Sequence, residues 1–220
     1  MAALKGAFLS FGAGLLGGLP NIVVFQFNPA QVTRTPSLAQ PPPACDTSGS
    51  TDALQQPCQP GESISFTLRV DATEQLAQSN PIAAASGILP TLSALELLMV
   101  PKGALSINLA SLVGGGGGSG PHQLPPNKLP TVLLFWGPFR ILPVAITSLS
   151  ITETEYDPLL NPLRADVSVN LQVLIPNQLA GDTLANGAYK YSQGVKEVMA
   201  ALNLANAAQI GVSAVMSFSV

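Results

Sequence analysis

Charge is scarce in this sequence. Asp, Glu, Lys and Arg make up 10% of 220 residues, against about 25% in an average soluble chain. Hydrophobic residues make up 47%. A surface with so few ions either exposes uncharged area or covers it with neighbouring molecules, and the covered state is the safer one in water. The net charge of −3 leaves no basic patch, which argues against nucleic acid as a partner. Histidine occurs once, as His122, in a Gly/Pro-rich stretch where a solvated loop residue is the expectation. Hydrolytic triads use a His to activate Ser or Cys, so that reaction class is disfavoured. Cysteine occurs twice, as Cys45 and Cys58 flanking a Pro/Gln/Ser-rich loop. With no third ligand nearby they make no tetrahedral metal site, and they are either a local disulfide staple or two free thiols.

Aromatic residues are 5% of the chain, with a single Trp, which is little material for a carbohydrate-binding face. Long apolar runs are also missing. Ala7–Leu19 is apolar but glycine-rich, too short to span a bilayer, and not followed by a small-x-small cleavage site. Residues 1–20 are therefore read as an apolar, Gly-rich arm that docks on a partner, in preference to a signal peptide. No direct membrane span is expected.

Breakers are plentiful, with 20 glycines and 20 prolines gathered in particular segments. Ile22–Phe27 is apolar and β-prone and stops at Asn28-Pro29. A second extended piece covers Gln31–Thr35. Residues 36–61 have no period of two or 3.6 and are read as a surface insertion. Ser63–Val70 alternates, with Ile64, Phe66, Leu68 and Val70 on one face of a half-buried strand. Asp71 and Thr73 follow as candidates to cap a short turn. Pro90–Val100 places Leu92, Leu95 and Met99 at helical spacing, with Pro101 as the stop. Gly114–Gly118 lacks the Lys-Ser/Thr of a phosphate loop, so residues 114–128 are read as a second, linker-like insertion.

From Thr131 onward the sequence is strongly β. Thr131–Trp136 leads to a turn at Gly137-Pro138, Phe139–Ile146 returns, and Thr147–Tyr156 continues to a loop bracketed by Asp157-Pro158 and Asn161-Pro162. In Leu163–Val173 every odd position is apolar and every even position polar, so one face meets a core and the other water. Val195–Ile210 has helical spacing at Val195, Val198, Met199 and Leu202, with Gly211 as a C-cap. Residues 176–220 are thus a C-terminal extension with a helix over 195–210, too small to bury a core of its own. The fold class is mainly β with flanking helices.

Two polar pairs need weighing as chemistry. Glu153 and Glu155 share a strand face, but acid–base catalysis requires carboxyls set across a cleft, and an exposed strand face is the expected home of this pair. Arg164 and Asp166 also share a face and are candidates for a same-strand or intersubunit ion pair. No residue is assigned a catalytic, cofactor-binding or metal-binding role, no cofactor is expected, and the chain is read as a non-enzyme.

Three stretches carry a family resemblance. They are Phe25-Gln-Phe27-Asn28-Pro29, Val132-Leu-Leu-Phe-Trp136-Gly137, and Ile146–Pro158 followed by Pro162-Leu-Arg-Ala165. In this order and spacing, from about residue 21 to 175, the chain resembles the tube-type domain of contractile injection systems and phage tails. The likeness is closest to the baseplate adaptor class that often carries a LysM module. Asn161 stands where that family has a glycine before the proline. Gly181-Asp-Thr-Leu184 resembles a LysM opening that the following residues do not continue, so LysM attachment is not carried over.

The resemblance implies an antiparallel β-barrel or sandwich with a flanking helix over residues 21–175. It implies subunits that pair edge to edge in a ring, on the order of six copies. The implied role is a baseplate adaptor joining the inner tube to the spike or hub, with tube, spike and baseplate proteins as partners. Such a subunit assembles in the cytoplasm into a phage tail-like particle that is released or membrane-attached. A tube terminator or cap, or an inner tube subunit, is the alternative within the same machine. A secreted β-type binding domain is the alternative outside it.

Overall fold

The computed structural model describes residues 4–11, 21–37, 61–100, 129–179 and 181–209. The alternating segments form strands of one antiparallel sheet: β1 (Ala7–Phe11), β2 (Asn21–Val24), β3 (Val32–Ser37), β4 (Gly61–Asp71), β5 (Thr131–Phe135), β6 (Ile141–Tyr156) and β7 (Pro162–Val173). Their order across the sheet is β2-β1-β5-β6-β7-β4-β3. Among the described residues between β4 and β5 lie three short helices, α1 (Thr73–Ala77), α2 (Pro81–Ser86) and α3 (Leu89–Glu96), with a 3₁₀ turn over Leu97–Met99. A long helix, α4 (Thr183–Gln209), follows the sheet. The mainly β fold with a C-terminal helix agrees with the sequence reading.

The centre of the sheet follows directly from period-two patterning. In the β4–β7 register Ile64 faces Leu171, Phe66 faces Val169, Leu68 faces Val167 and Val70 faces Ala165. All eight are buried. Burying one Leu, Ile, Val or Phe side chain stabilises by about 1.5–3 kcal/mol, so this ladder anchors the core. The opposite faces of the same strands are polar: Thr67 Oγ1 and Ser168 Oγ lie 3.3 Å apart, and Asn170 Nδ2 donates to Ser148 Oγ at 2.8 Å.

The sheet is curled, and a side chain fastens the curl. Gln26, two residues past β2, accepts from the Asp71 amide (2.8 Å) and donates to the Asp71 carbonyl (2.7 Å). β3 pairs only with Gly61–Phe66, so the later half of β4 has a free edge, and the Gln26 amide takes the place of a strand there. Next to this clasp, Phe8, Phe25, Phe66 and Trp136 form one aromatic cluster, with ring centroids 5.1–6.2 Å apart in the contacting pairs. Such pairs add about 0.5–1.5 kcal/mol each beyond burial. Gly6 lies under the Phe25 ring, where a Cβ would come within 2.7 Å of it.

Several expectations are corrected. The arm read over residues 1–20 contains β1, which pairs with β2 on one side and β5 on the other. Phe8 has 0% exposure. Five residues flanked by glycines are too few to show a strand period, and only pairing on both edges reveals them. β3 runs on through Pro36 to Ser37, so the first insertion begins later than expected. Pro36 is tolerated because β3 is an edge strand. The helix expected over 195–210 begins at Thr183, where Asp182 Oδ1 accepts from Ala185 N at 3.0 Å as an N-cap. The segment that resembles a LysM opening is thus a helix start.

Helices α1 and α2 stand where the sequence reading places only a short turn at Asp71 and Thr73, although Asn80-Pro81 is a helix-start signal. Asn80 Oδ1 accepts from Ile82 N (2.9 Å), and Pro81 occupies the first turn, where its missing N–H costs nothing. The helix expected at Pro90–Val100 is present as α3 and its 3₁₀ extension, with Leu92 and Leu95 buried. Cys45, Cys58, the glycine run Gly114–Gly118 and His122 lie outside the described residues.

Candidate functional site

The candidate carboxylate pair of the sequence is not a pair in space. Glu155 sits at a positive φ of 57° near the end of β6 and reaches Arg164 Nη1 at 2.5 Å. Glu153 accepts from the Tyr156 hydroxyl at 3.5 Å. Both are exposed on the strand end. Arg164 and Asp166 do not bond each other. Arg164 Nε reaches Asp71 Oδ2 at 2.9 Å across to β4, and Asp166 pairs with Arg69 at 3.3 Å. Cross-strand neighbours lie closer than residues two apart on one strand, which is why the register decides these pairs. Burial works against ionisation of Asp71, but the Thr73 hydroxyl and amide and the Arg164 guanidinium outweigh it and hold its carboxyl below the ordinary range. Asp71 and Thr73, expected to cap a turn, do so at the start of α1, where Thr73 N donates to Asp71 Oδ1 at 2.8 Å.

A second polar centre was not visible in the sequence. Glu62, buried at the start of β4, accepts from Arg34 Nε (2.6 Å) and Nη2 (2.5 Å) and from Lys196 Nζ (3.1 Å). Burial raises the cost of ionising Glu62, yet the hydrogen bonds from Arg34 and Lys196 hold its carboxyl below the ordinary value. Arg140, in the β5–β6 turn, is close enough for burial and the Arg34 charge to lower its pKa, with Glu62 opposing. This cluster joins the edge strand β3, the start of β4 and helix α4. Its members are as much as 134 positions apart in the chain, and no local pattern links them.

Helix α4 packs against β6 and β5. Ala185, Tyr189 and Ser192 are its buried stripe, and the Tyr191 hydroxyl donates to the Pro138 carbonyl at 2.8 Å. Past Lys196 the helix leaves the sheet. Every described side chain from Lys196 to Ala205 is exposed, including Val198 (58%) and Leu204 (75%). At the far end of β6 the hairpin loop is equally apolar, with Leu159 at 78% and Leu160 at 79% exposure. That loop is held by Asp157, whose Oδ1 accepts from Leu159 N (2.7 Å) and Asn161 N (2.8 Å). The Asn161 side chain, ahead of its backbone amide and that of Leu159, holds the Asp157 carboxyl below the ordinary range.

Among the described residues, no group of three or more His, Cys, Asp or Glu side chains is placed to hold a metal ion. No described helix is long and apolar enough to cross a membrane, which says nothing about crossing by strands. What the surface offers is contact area: a polar sheet face over β4, β7 and β6, a protruding helix, and an apolar hairpin tip. No family model matches the chain, and no curated protein matches it.

Proposed function

We propose that this chain is a structural subunit of a contractile injection system, acting at the baseplate as an adaptor between the inner tube and the spike or hub. The observation that carries the reading is the curled antiparallel sheet whose β4-β7-β6 face is polar, uncharged over its first half and carrying only the paired ions Arg69–Asp166 and Asp71–Arg164 beyond it. Its side chains are Ser63, Ser65 and Thr67 on β4, Ser168, Asn170 and Gln172 on β7, and Ser148, Ser150 and Thr152 on β6. A polar wall whose few charges are paired with one another suits a channel through which cargo slides without being held, because it offers neither an apolar patch nor an unpaired charge.

The residues behind the family resemblance also hold this architecture together. Gln26 fastens the curl, and Asn28 holds the strand entry by accepting from Gly6 N (2.9 Å) and donating to the Leu4 carbonyl (2.8 Å). Trp136 packs in the aromatic cluster, and the Pro162 carbonyl accepts from Ile88 N at 3.0 Å. In this reading the chain works by assembly and catalyses nothing. It is made in the cytoplasm and leaves it only as part of the particle.

The test is to produce the chain together with tube, spike and baseplate proteins and to image the particles by electron cryomicroscopy. A ring of this fold between tube and spike is the expected result. Many copies along the shaft would make it an inner tube subunit instead. Density confined to the sheath, or no density at all, would sink the proposal.

A further inference from the structure

The molecule is polarised along its longest strand. Where β6 begins, Arg34, Arg140 and Lys196 set three cations against the single carboxylate of Glu62. Arg140 forms no ion pair among the described residues. Beside it stand apolar side chains left in water: Phe139 in the turn, and Val198, Met199 and Leu202 on the protruding part of α4. The nearest opposing charge on the helix is the exposed Glu197. Roughly 50 Å of strand away, at about 3.3 Å per residue, β6 ends in the opposite chemistry. There five carboxylates (Asp71, Glu153, Glu155, Asp157 and Asp166) stand against the two cations Arg69 and Arg164, around the exposed Tyr156, Leu159 and Leu160.

We infer that these two ends bind each other, so that the β6–β7 hairpin tip of one copy seats on the Arg140 turn and protruding α4 helix of the next. Both charge and apolar character are matched between the ends: Leu159 and Leu160 cover Phe139, Val198 and Leu202, while Glu153 approaches Arg140. The tip is built as a rigid knob for this purpose. The Asp157 carboxylate fixes Leu159 and Asn161, and Leu160 is held at a φ of 66°, a conformation a free loop would not keep. A rigid knob loses little entropy on docking. Because the two surfaces differ, the contact is head to tail, and it propagates into a closed ring or an open stack depending on the rotation per step. The inference needs only copies of this chain and does not rest on the baseplate reading.

Sedimentation of the full chain tests it, using two double variants. Leu159→Asp with Leu160→Asp disables the tip, and Val198→Asp with Leu202→Asp disables the helix. All four positions are exposed, so circular dichroism and melting temperature should match wild type in both variants. The wild type should self-associate with rising concentration, and more weakly at high salt. Each variant alone should lose at least about tenfold in association. An equimolar mixture should form dimers and nothing larger, since each variant keeps one intact end. A photo-cross-linker at position 160 should react with Phe139 or with the 198–202 stretch of another copy. A wild type that stays monomeric to about 100 µM would overturn the inference. So would undiminished association of either variant, or cross-links that land within the same chain on residues 210–220. None of these results bears on whether the chain is found in injection particles.

Discussion

Gln26 shows how one residue can set the shape of a sheet. Its amide makes both a donor and an acceptor bond to the Asp71 backbone, so replacing it leaves two strand-edge groups without their partner. Gln26→Ala should lower stability by about 2 kcal/mol in urea titrations, at roughly 1 kcal/mol per lost bond. Gln26→Glu keeps the acceptor but loses the donor, and should fall between the two. Gly87 is equally constrained. It has a φ of 57°, and a Cβ would lie 2.2 Å from the Pro162 carbonyl oxygen, so Gly87→Ala should cost about 3 kcal/mol or prevent folding.

Glu62 makes the fold sensitive to acid. Its folded carboxyl titrates below the ordinary 4.5 of the unfolded chain, so its contribution is complete above that pH. The contribution begins to fall once the pH drops below 4.5 and is gone below the folded pKa. Melting temperatures measured from pH 7 down to about 3 should therefore decline less steeply for Glu62→Gln than for wild type. At pH 7 the same variant should be less stable by about 1–2 kcal/mol, a value reduced because Arg34 and Lys196 are partly in solvent. Equal slopes in the two proteins would remove Glu62 from the account.

At the scale of elements, helix α4 divides into a docked half and a protruding half. Tyr189 belongs to the core, so Tyr189→Ala should cost about 3 kcal/mol. Val198 and Leu202 are exposed and lie outside the core cluster, and Asp at either position should change unfolding free energy by less than about 0.5 kcal/mol. The sequence showed the apolar stripe of this helix but not which turns of it are covered. Val195, Val198, Met199 and Leu202 read as a buried face by their spacing, whereas the sheet ends near Lys196 and the last turns have nothing to bury against. Strand β1 is the reverse case, an apolar piece that looked unpartnered and is enclosed on both edges.

Across the whole molecule, the core is one connected cluster running from Phe8 in β1 to Tyr189 in α4. The sheet and the docked half of the helix should therefore unfold together. Trp136, the single Trp, packs against Phe25 and Phe66 at the middle of that cluster. Its fluorescence and far-ultraviolet circular dichroism should give coincident denaturation curves. Separate midpoints would mean that α4 and the sheet are distinct cooperative units. The same continuity explains how a chain with 10% charge holds its shape: the sheet face carries hydroxyls and amides that pair with each other, and the ion pairs among the described residues lie toward the two ends of β6.

The sequence by itself determined the strands whose residues alternate for eight positions or more, because a period of two sorts side chains onto two faces whatever the partner strand. It also placed the turn at Gly137, the loop bracketed by Asp157 and Asn161, and the α3 helix, since each carries its own backbone chemistry. Only the tertiary structure decided that Ala7–Phe11 is an inner strand, that Arg164 pairs with Asp71 rather than Asp166, and that Glu62 joins Arg34 to Lys196. These contacts depend on strand order and on how far the sheet curls. Both are set by the sum of many packing energies and by no local motif.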